Sequence, residues 1–162
     1  MLDFPEAFQV NEYEVSIGGS LSPGISKVSG LGDGEVEAIE QPSGGSRIIH
    51  KIGGSIVKFD DITLERYMDG TDEDVRFYKW FRDMFKLEPG AQGSSDRRGG
   101  SIVVKRMGEE VMRFKFEGAW VKSSKFTDLQ AGGNEVMKQT VVLAVERMER
   151  VEPVVIARSG EQ

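Results

Sequence analysis

Apolar and polar residues alternate over short segments along most of the chain, and clusters of Gly, Pro, Ser and Asp separate these segments. In NEYEVSI, residues 11–17, the side chains of Tyr13, Val15 and Ile17 alternate with polar ones. A period of two is typical of strands with one buried face. The pattern predicts strands over residues 11–17, 25–31, 35–40, 47–51, 54–66, 101–107, 110–117, 120–126 and 135–148.

A polar segment, QPSGGS at residues 41–46, separates two of these predicted strands. Pro cannot donate a hydrogen bond to a strand ladder and Gly weakens strand pairing, so we expect this segment to be an exposed loop. The strands on either side would then form a hairpin that protrudes from the domain, with residues 41–46 at its tip.

The last predicted strand, residues 135–148, is long and carries apolar residues on both faces. We interpret it as a wall strand that has one face in the core of the subunit and the other against something else. Alternate residues on one of its faces are Val136, Lys138, Thr140, Val142 and Ala144.

One helix is predicted, over residues 72–86, with Thr71 as its N-terminal cap and acidic residues in its first turn. Aromatic residues at helical spacing indicate that it covers one side of a β core. Because the apolar stripe is wide, part of it is alternatively a surface on which another protein docks. The candidate residues for that outer surface are Phe77, Tyr78, Trp80 and Phe81. The whole pattern favours a mainly β barrel or sandwich of about eight or nine antiparallel strands with one flanking helix.

Length and composition narrow the class of protein. The chain has 162 residues, which suits one domain over residues 1–150 followed by a short C-terminal tail, 151–162. It contains no Cys, which excludes disulfides, thiolate metal sites and Cys nucleophiles. A net charge of −6 disfavours a general nucleic-acid binder. We expect no signal peptide and no membrane anchor, because no suitable apolar run is present.

The sequence contains several short segments that partly match known chemical motifs, and structural roles explain them better. His50 is the single histidine, so a metal site or a Ser–His couple is not expected, and residues 30–34 fail the dinucleotide fingerprint. Residues 69–80 do not fit a calcium loop, because position six is Asp74 instead of Gly and position twelve is Trp80 instead of Glu. Arg97–Arg98 is either a solvated pair or a contact to a neighbouring subunit. Asp60–Asp61 leaves open a small β-barrel binding module or enzyme. We expect no catalytic, cofactor or metal site.

Several segments, taken together, resemble the tail tube proteins of contractile phages and of related contractile injection systems, including type VI secretion. The clearest runs from Met112 to Glu146 and includes RFKFEGAW followed by VKSSKFTDLQAGGNEVMKQTVVLAVE. The elements VSGL at residues 28–31, IVKFDDITLERY at 56–67 and FYKWF at 77–81 occur in the same order as in that family. The resemblance covers residues 8–148.

The resemblance implies a structural protein without an enzymatic step or cofactor. Its barrels would assemble as hexameric rings, and the rings would stack into a hollow inner tube within a sheath. Contraction would drive the tube through a target envelope, with effector protein or DNA as the cargo in its lumen. The implied partners are further copies of the chain, the sheath protein, and the baseplate, spike and terminator proteins. Assembly would begin in the cytoplasm and end in a phage tail or an injection particle.

Within such a tube we expect the protruding hairpin to contact the adjacent ring and the long strand from Val136 to Val145 to pair within the ring through its backbone. A specialised adapter ring that joins the baseplate spike to the tube is the alternative, because residues 90–99 and the segment beyond Arg150 look longer than usual. The residues expected to stack rings are Gln41, Pro42, Ser43, Gly44, Gly45, Ser46, Arg47, His50 and Lys51.

Overall fold

A computed structural model describes residues 12–42, 44–45, 47–106 and 108–151. Within them the chain forms ten strands and one α-helix, which confirms the mainly β architecture. Of the predicted C-terminal tail, only Val151 lies among the described residues. The elements are β1 (Glu12–Ile17), β2 (Ser20–Leu21), β3 (Ile25–Ser29), β4 (Glu35–Pro42), β5 (Ile49–Lys58), β6 (Ile62–Tyr67), α1 (Arg76–Met84), β7 (Arg98–Arg106), β8 (Glu109–Phe126), β9 (Lys138–Ala144) and β10 (Arg147–Val151).

Eight of the strands form one antiparallel sheet. Seven of them follow one another in the order β2-β1-β7-β8-β9-β6-β3, and the eighth, β10, pairs with β8 off this path. The path has two half-sheets, because the first part of β8 pairs with β7 and β10 while its last part pairs with β9. Core side chains from both half-sheets belong to one apolar cluster, so the two half-sheets face each other. The Tyr13 hydroxyl of β1 donates to the carbonyl of Ile25 in β3, 3.0 Å away, and so links the two ends of the path.

The 18 residues of β8 join two strands that the sequence predicts as separate, and Gly118 explains how. Before it the buried residue is Phe116, and after it the buried residues are Ala119 and Val121. The side-chain alternation therefore changes phase at Gly118, which has a φ of +68°. This phase change, a β-bulge, keeps the apolar residues on the core side while the strand bends from one half-sheet to the other.

The prediction of one long last strand over residues 135–148 is wrong in its bounds. The strand begins at Lys138, so Val136 precedes it, and it stops at Ala144 before β10 resumes at Arg147. Both pieces pair with β8 in one continuous register, Ala144 opposite Trp120 and Arg147 opposite Glu117. The interruption lies opposite the Gly118 bulge, because the partner strand must bend at the same point.

The helix is shorter than predicted. Residues 72–75 form a 3-10 turn, and α1 begins only at Arg76. Thr71 makes no side-chain cap; its hydroxyl donates to Asp69 instead. At the other end Phe85 leaves the helical conformation, and its ring lies 5.7 Å from that of Trp120.

An ion pair, rather than a helix cap, holds the 3-10 turn to the sheet. Asp74 accepts a hydrogen bond from the Gly70 amide at 2.7 Å and one from Arg66 Nη1 at 2.5 Å. The Arg66 side chain is almost completely buried. Its hydrogen bond is the main reason why the pKa of Asp74 lies below its usual value. Among the described residues, no helix has the length and apolarity that crossing a membrane requires.

Candidate assembly surfaces

The predicted protruding hairpin exists as a separate two-stranded sheet of β4 and β5, which we call the arm. Every residue of β4 is exposed, and so is every residue of β5 except Gly54. Within the arm Ile39 lies opposite Ile52, and Glu40 lies opposite Lys51. A two-stranded sheet without a buried face is marginally stable in water, and its free edges are templates for further contacts. The arm therefore has the properties of a segment that completes its packing on another molecule.

The residues predicted to stack rings lie at the far end of the arm. Gln41 and Pro42 end β4 and pair with His50 and Ile49 of β5. Ser43 and Ser46 lie outside the described residues, and the others are exposed. The exposed ones are Gln41, Pro42, Gly44, Gly45, Arg47, His50 and Lys51.

The base of the arm is closely packed within itself and is linked to the barrel by an ion pair. A Cβ atom at Gly34, whose φ is +106°, would lie 2.6 Å from the Val57 side chain. Beside it, the Arg150 guanidinium of β10 forms an ion pair with Asp33 at 3.1 Å. The arm thus leaves the domain at a defined place, next to the start of β6.

The two faces of β9 differ clearly. Gln139, Val141 and Leu143 are fully buried, whereas the opposite face is half-buried. Both backbone edges of β9 are occupied within the subunit, by β6 and by β8. The predicted backbone pairing of this strand within the ring is therefore wrong, and a neighbour can reach the strand only through side chains. The half-buried residues are Lys138, Thr140, Val142 and Ala144.

The aromatic residues of α1 divide between the core and the surface. Phe77 and Trp80 are buried, and the Trp80 indole nitrogen donates to the Asp96 carbonyl at 2.7 Å. The interpretation of these two as an outer docking surface is therefore wrong. Tyr78 is exposed and Phe81 half-buried, and the Arg82 guanidinium lies over both rings, at 5.8 and 5.0 Å from their centroids.

A further exposed apolar surface lies in residues 126–137, called here the distal loop. The sequence predicts a turn over residues 127–134 and places Val136 and Met137 in the last strand. Leu129, Val136 and Met137 are exposed in the distal loop, and the loop encloses a recess of about 500 Å³. Its two ends are joined where the Thr127 amide donates to the Lys138 carbonyl at 3.0 Å. In the sequence, Leu129, Val136 and Met137, together with Phe126, are four large apolar residues within a segment that is otherwise polar or small.

Three of the candidate chemical groups, Asp61, Arg97 and Arg98, are engaged in structural contacts. Asp61 forms an ion pair with Lys122 at 2.9 Å. Arg97 pairs with Glu146, so its charge is used within the subunit, and Arg98 lies over the Trp80 ring. In the described part of the chain no group of three or more His, Cys, Asp and Glu residues could hold a metal ion.

Comparison with known families identifies the architecture. The family model of the T4-like virus tail tube protein gp19 matches residues 9–149. The chain belongs to this family. The match confirms the resemblance inferred over residues 8–148, and it establishes a structural role in a tail tube. No curated protein matches the chain.

Solved structures with a similar fold come from contractile injection systems. A chain of the sheath/tube terminator of the extracellular contractile injection system PVC, in its extended state, is 20% identical, with a TM-score of 0.74 over 93% of this chain and 99% of that one. A chain of the PVC sheath-tube complex is also 20% identical, with a TM-score of 0.72 over 91% and 93%. Hcp1 from Flavobacterium johnsoniae is 12% identical, with a TM-score of 0.52 over 87% and 95%.

Proposed function

We propose that the protein is the main inner-tube subunit of a contractile injection particle or contractile phage tail, that six copies form a ring, and that rings stack into a hollow tube inside a sheath. The observation that carries this proposal is the arm, an exposed two-stranded extension on a barrel of the tail tube family. The described part of the subunit leaves the apolar side chains of the arm about half exposed, and a neighbouring ring would cover them.

Stacking between rings follows from the position of the arm. A contact between two different surfaces of identical subunits propagates without closing, which produces a filament. The described residues among 41–51 are exposed and lie at the far end of the arm, where a neighbouring ring could meet them. We assign this segment to the contact between rings.

Contacts within a ring would use the half-buried face of β9. Thr140 and Val142 are small enough to allow a close approach, and Lys138 lies over the Tyr67 ring at 5.3 Å. Because both edges of β9 are filled, we assign this contact to side chains and not to strand pairing across the ring.

The remaining exposed aromatic residue of α1 offers a surface for the sheath. Tyr78 and Arg82 stand together on the solvent side of the helix, and a planar ring beside a guanidinium is a common anchor in protein interfaces. The lumen would hold effector protein or DNA. The particle would assemble in the cytoplasm, and the subunit itself would carry out no enzymatic step.

Electron microscopy of the purified protein tests the proposal. We expect rings with six-fold symmetry and tubes built from them at high protein concentration. The same protein, imaged in particles purified with sheath and baseplate proteins, should form the inner tube along the whole length of the sheath. A strictly monomeric protein that is also absent from such particles would refute the proposed function.

An adapter ring between baseplate spike and tube is the second candidate. The segment between α1 and β7 is long and ordered by specific contacts, since the Ser94 amide donates to the Asp83 carbonyl and the Trp80 indole to Asp96, both at 2.7 Å. Such a segment could meet a different neighbour at the end of the tube. Copy number decides between the two: one ring per particle indicates the adapter, and many rings indicate the main tube.

A further inference from the structure

The distal loop and the base of the arm lie at opposite ends of the second half-sheet. Strand β6 begins at Ile62, just after the arm, and ends at Tyr67, which lies opposite Lys138 of β9. Phe126, at the start of the distal loop, lies opposite Gln139. The length of β6, six residues at about 3.3 Å each, therefore separates the two features by about 20 Å.

Both features expose apolar side chains that the described residues of the subunit leave largely uncovered. In the distal loop Leu129 is 82% exposed and Val136 is 59% exposed. Near the tip of the arm Ile49 is 56% exposed and Ile52 is 47% exposed. Two apolar surfaces at opposite ends of one molecule can cover each other when copies are arranged head to tail.

The charges of the two features are complementary. The distal loop contains two charged residues, Asp128 and Glu135, both acidic. Residues 41–52 of the arm also contain two, Arg47 and Lys51, both basic. All four are exposed, and none of them forms an ion pair with any described residue of its own subunit.

We propose that the distal loop is the receptor for the arm tip of a second copy of this chain, so that each subunit donates its arm at one end and receives an arm at the other. This inference rests on the proposed function and assigns the surface on which stacking occurs. Leu129 and Val136 would contact the isoleucines of the arm, while Asp128 and Glu135 would face its two basic residues.

The same charges argue against the two symmetric arrangements. Arm against arm would bring Arg47 and Lys51 close to their own copies, and loop against loop would do the same for the two carboxylates. Like charges that face each other across an interface weaken the wrong complex. Among the four charged residues of the arm tip (residues 41–52) and the distal loop, only the arrangement of tip against loop places opposite charges together, and it is also the one that continues without limit.

Disulfide cross-linking tests the contact directly, because the chain has no Cys of its own. The variant with Ile49→Cys and Leu129→Cys, both at exposed positions, should give a ladder of covalent multimers under mild oxidation. Each single variant alone should stay uncross-linked, and a mixture of the two should stop at the dimer. A double variant that gives no ladder, or single variants that dimerise, would overturn the assignment.

Charge exchange supplies an independent test, with tube formation scored by electron microscopy. Changing Arg47 and Lys51 to Glu, or Asp128 and Glu135 to Lys, should abolish tubes while leaving rings intact. Combining all four substitutions in one chain should restore the tubes. The matched control is Lys79→Glu, which reverses one charge at an exposed position of the helix and should leave tubes unchanged.

The outcomes separate this inference from the function on which it rests. If wild-type protein forms tubes but the four-fold variant is no better than either pair, the receptor lies elsewhere and the tube function stands. If the wild-type protein forms no tubes and the double cysteine variant forms no ladder, the proposed function and the proposed receptor are both overturned.

Discussion

Replacing Leu143 by Ala tests which face of β9 lies in the core. Leu143 is fully buried, and its cross-strand neighbours Ile62 and Val121 are fully buried as well. The adjacent residue, Val142, lies on the opposite, half-buried face of the same strand. The pair of variants Leu143→Ala and Val142→Ala therefore compares the two faces within one backbone environment.

The expected difference follows from the carbon atoms that leave the core. Leu→Ala removes three carbons, which is worth about 2.4 kcal/mol at about 0.8 kcal/mol each. Strands on both sides of β9 limit collapse around the space that is left, so a cavity term raises the expected loss to about 3–4 kcal/mol. Val142→Ala removes two carbons that water already reaches in part, and we expect a loss below about 1 kcal/mol. Against a typical total of about 5–15 kcal/mol, the first variant should fold but with reduced stability.

The assay is urea unfolding at a protein concentration at which light scattering detects no assembly. Dilution matters because association stabilises the folded state by mass action and would hide the loss. A lower urea midpoint with an unchanged slope reports a change in stability alone. If the two variants lost the same stability, or Val142→Ala lost more, the assignment of the core face of β9 would be wrong.

Three further predictions concern the arm, the bulge and the buried ion pair. Deleting Pro42–Gly45 should shorten or abolish tubes without changing the thermal midpoint of the subunit, and unchanged tube length would refute the stacking role of the tip. Gly118→Ala should destabilise the subunit by about 1–3 kcal/mol in thermal unfolding, because φ is +68° and the new Cβ would lie 2.5 Å from Glu146 Oε2. Adding Glu146→Ala should remove the steric contact but not the strain of the positive φ, so stability should be only partly restored. Complete restoration would show that backbone strain is not part of the cause. Asp74→Asn should lower the stability of the subunit at pH 7. Because Arg66 depresses the pKa of Asp74, the carboxylate stabilises the fold only while it is charged, so the stability difference between variant and wild type should disappear as the pH falls below 3.8. Urea midpoints from pH 7 to pH 2 test the last point, and a deficit that persists at pH 2 would show that charge is not its cause.

The strands of this protein were predictable because strand periodicity is local. The alternation around Val15 and Ile17 identifies β1 and its buried face without any knowledge of its neighbours. The arm was predictable for a similar reason, because Pro42 and two Gly mark a loop between two strand patterns. Neither inference needs more than the preference of each residue for a pleated, half-buried surface.

The limits of β8, β9 and α1 were not predictable in the same way. In the sequence, the change of alternation at Gly118 looks like the end of one strand and the start of another. Only the pairing of β8 with β7 and β10 shows that it is a bulge within a single strand. Likewise Phe85 fits the helical pattern, but its contact with Trp120 draws it out of the helix. Partners distant in the sequence set these boundaries.

The burial of charge was also hidden in the sequence. Arg66 occupies a core position of β6, a place that the strand pattern would give to an apolar residue, and Asp74 balances its charge from outside the sheet. Gln139, directly opposite Arg66, is buried too and donates to the Ser124 hydroxyl at 2.8 Å. Contacts that form only after the sheet and the 3-10 turn come together offset part of the cost of burying such groups, although Arg66 Nη2 and Gln139 Oε1 have no hydrogen-bond partner among the described residues.

By itself, the sequence determined the mainly β class, the arm, and membership of the tail tube family, because these depend on local periodicity and on the order of short segments. Only the tertiary structure decided that both edges of β9 are occupied and that the distal loop stands at the end opposite the arm. The reason is that edges and ends are properties of how strands pair, and pairing joins residues as far apart as Ile62 and Leu143. Assembly surfaces depend on these relations, and so they become visible only in the folded subunit.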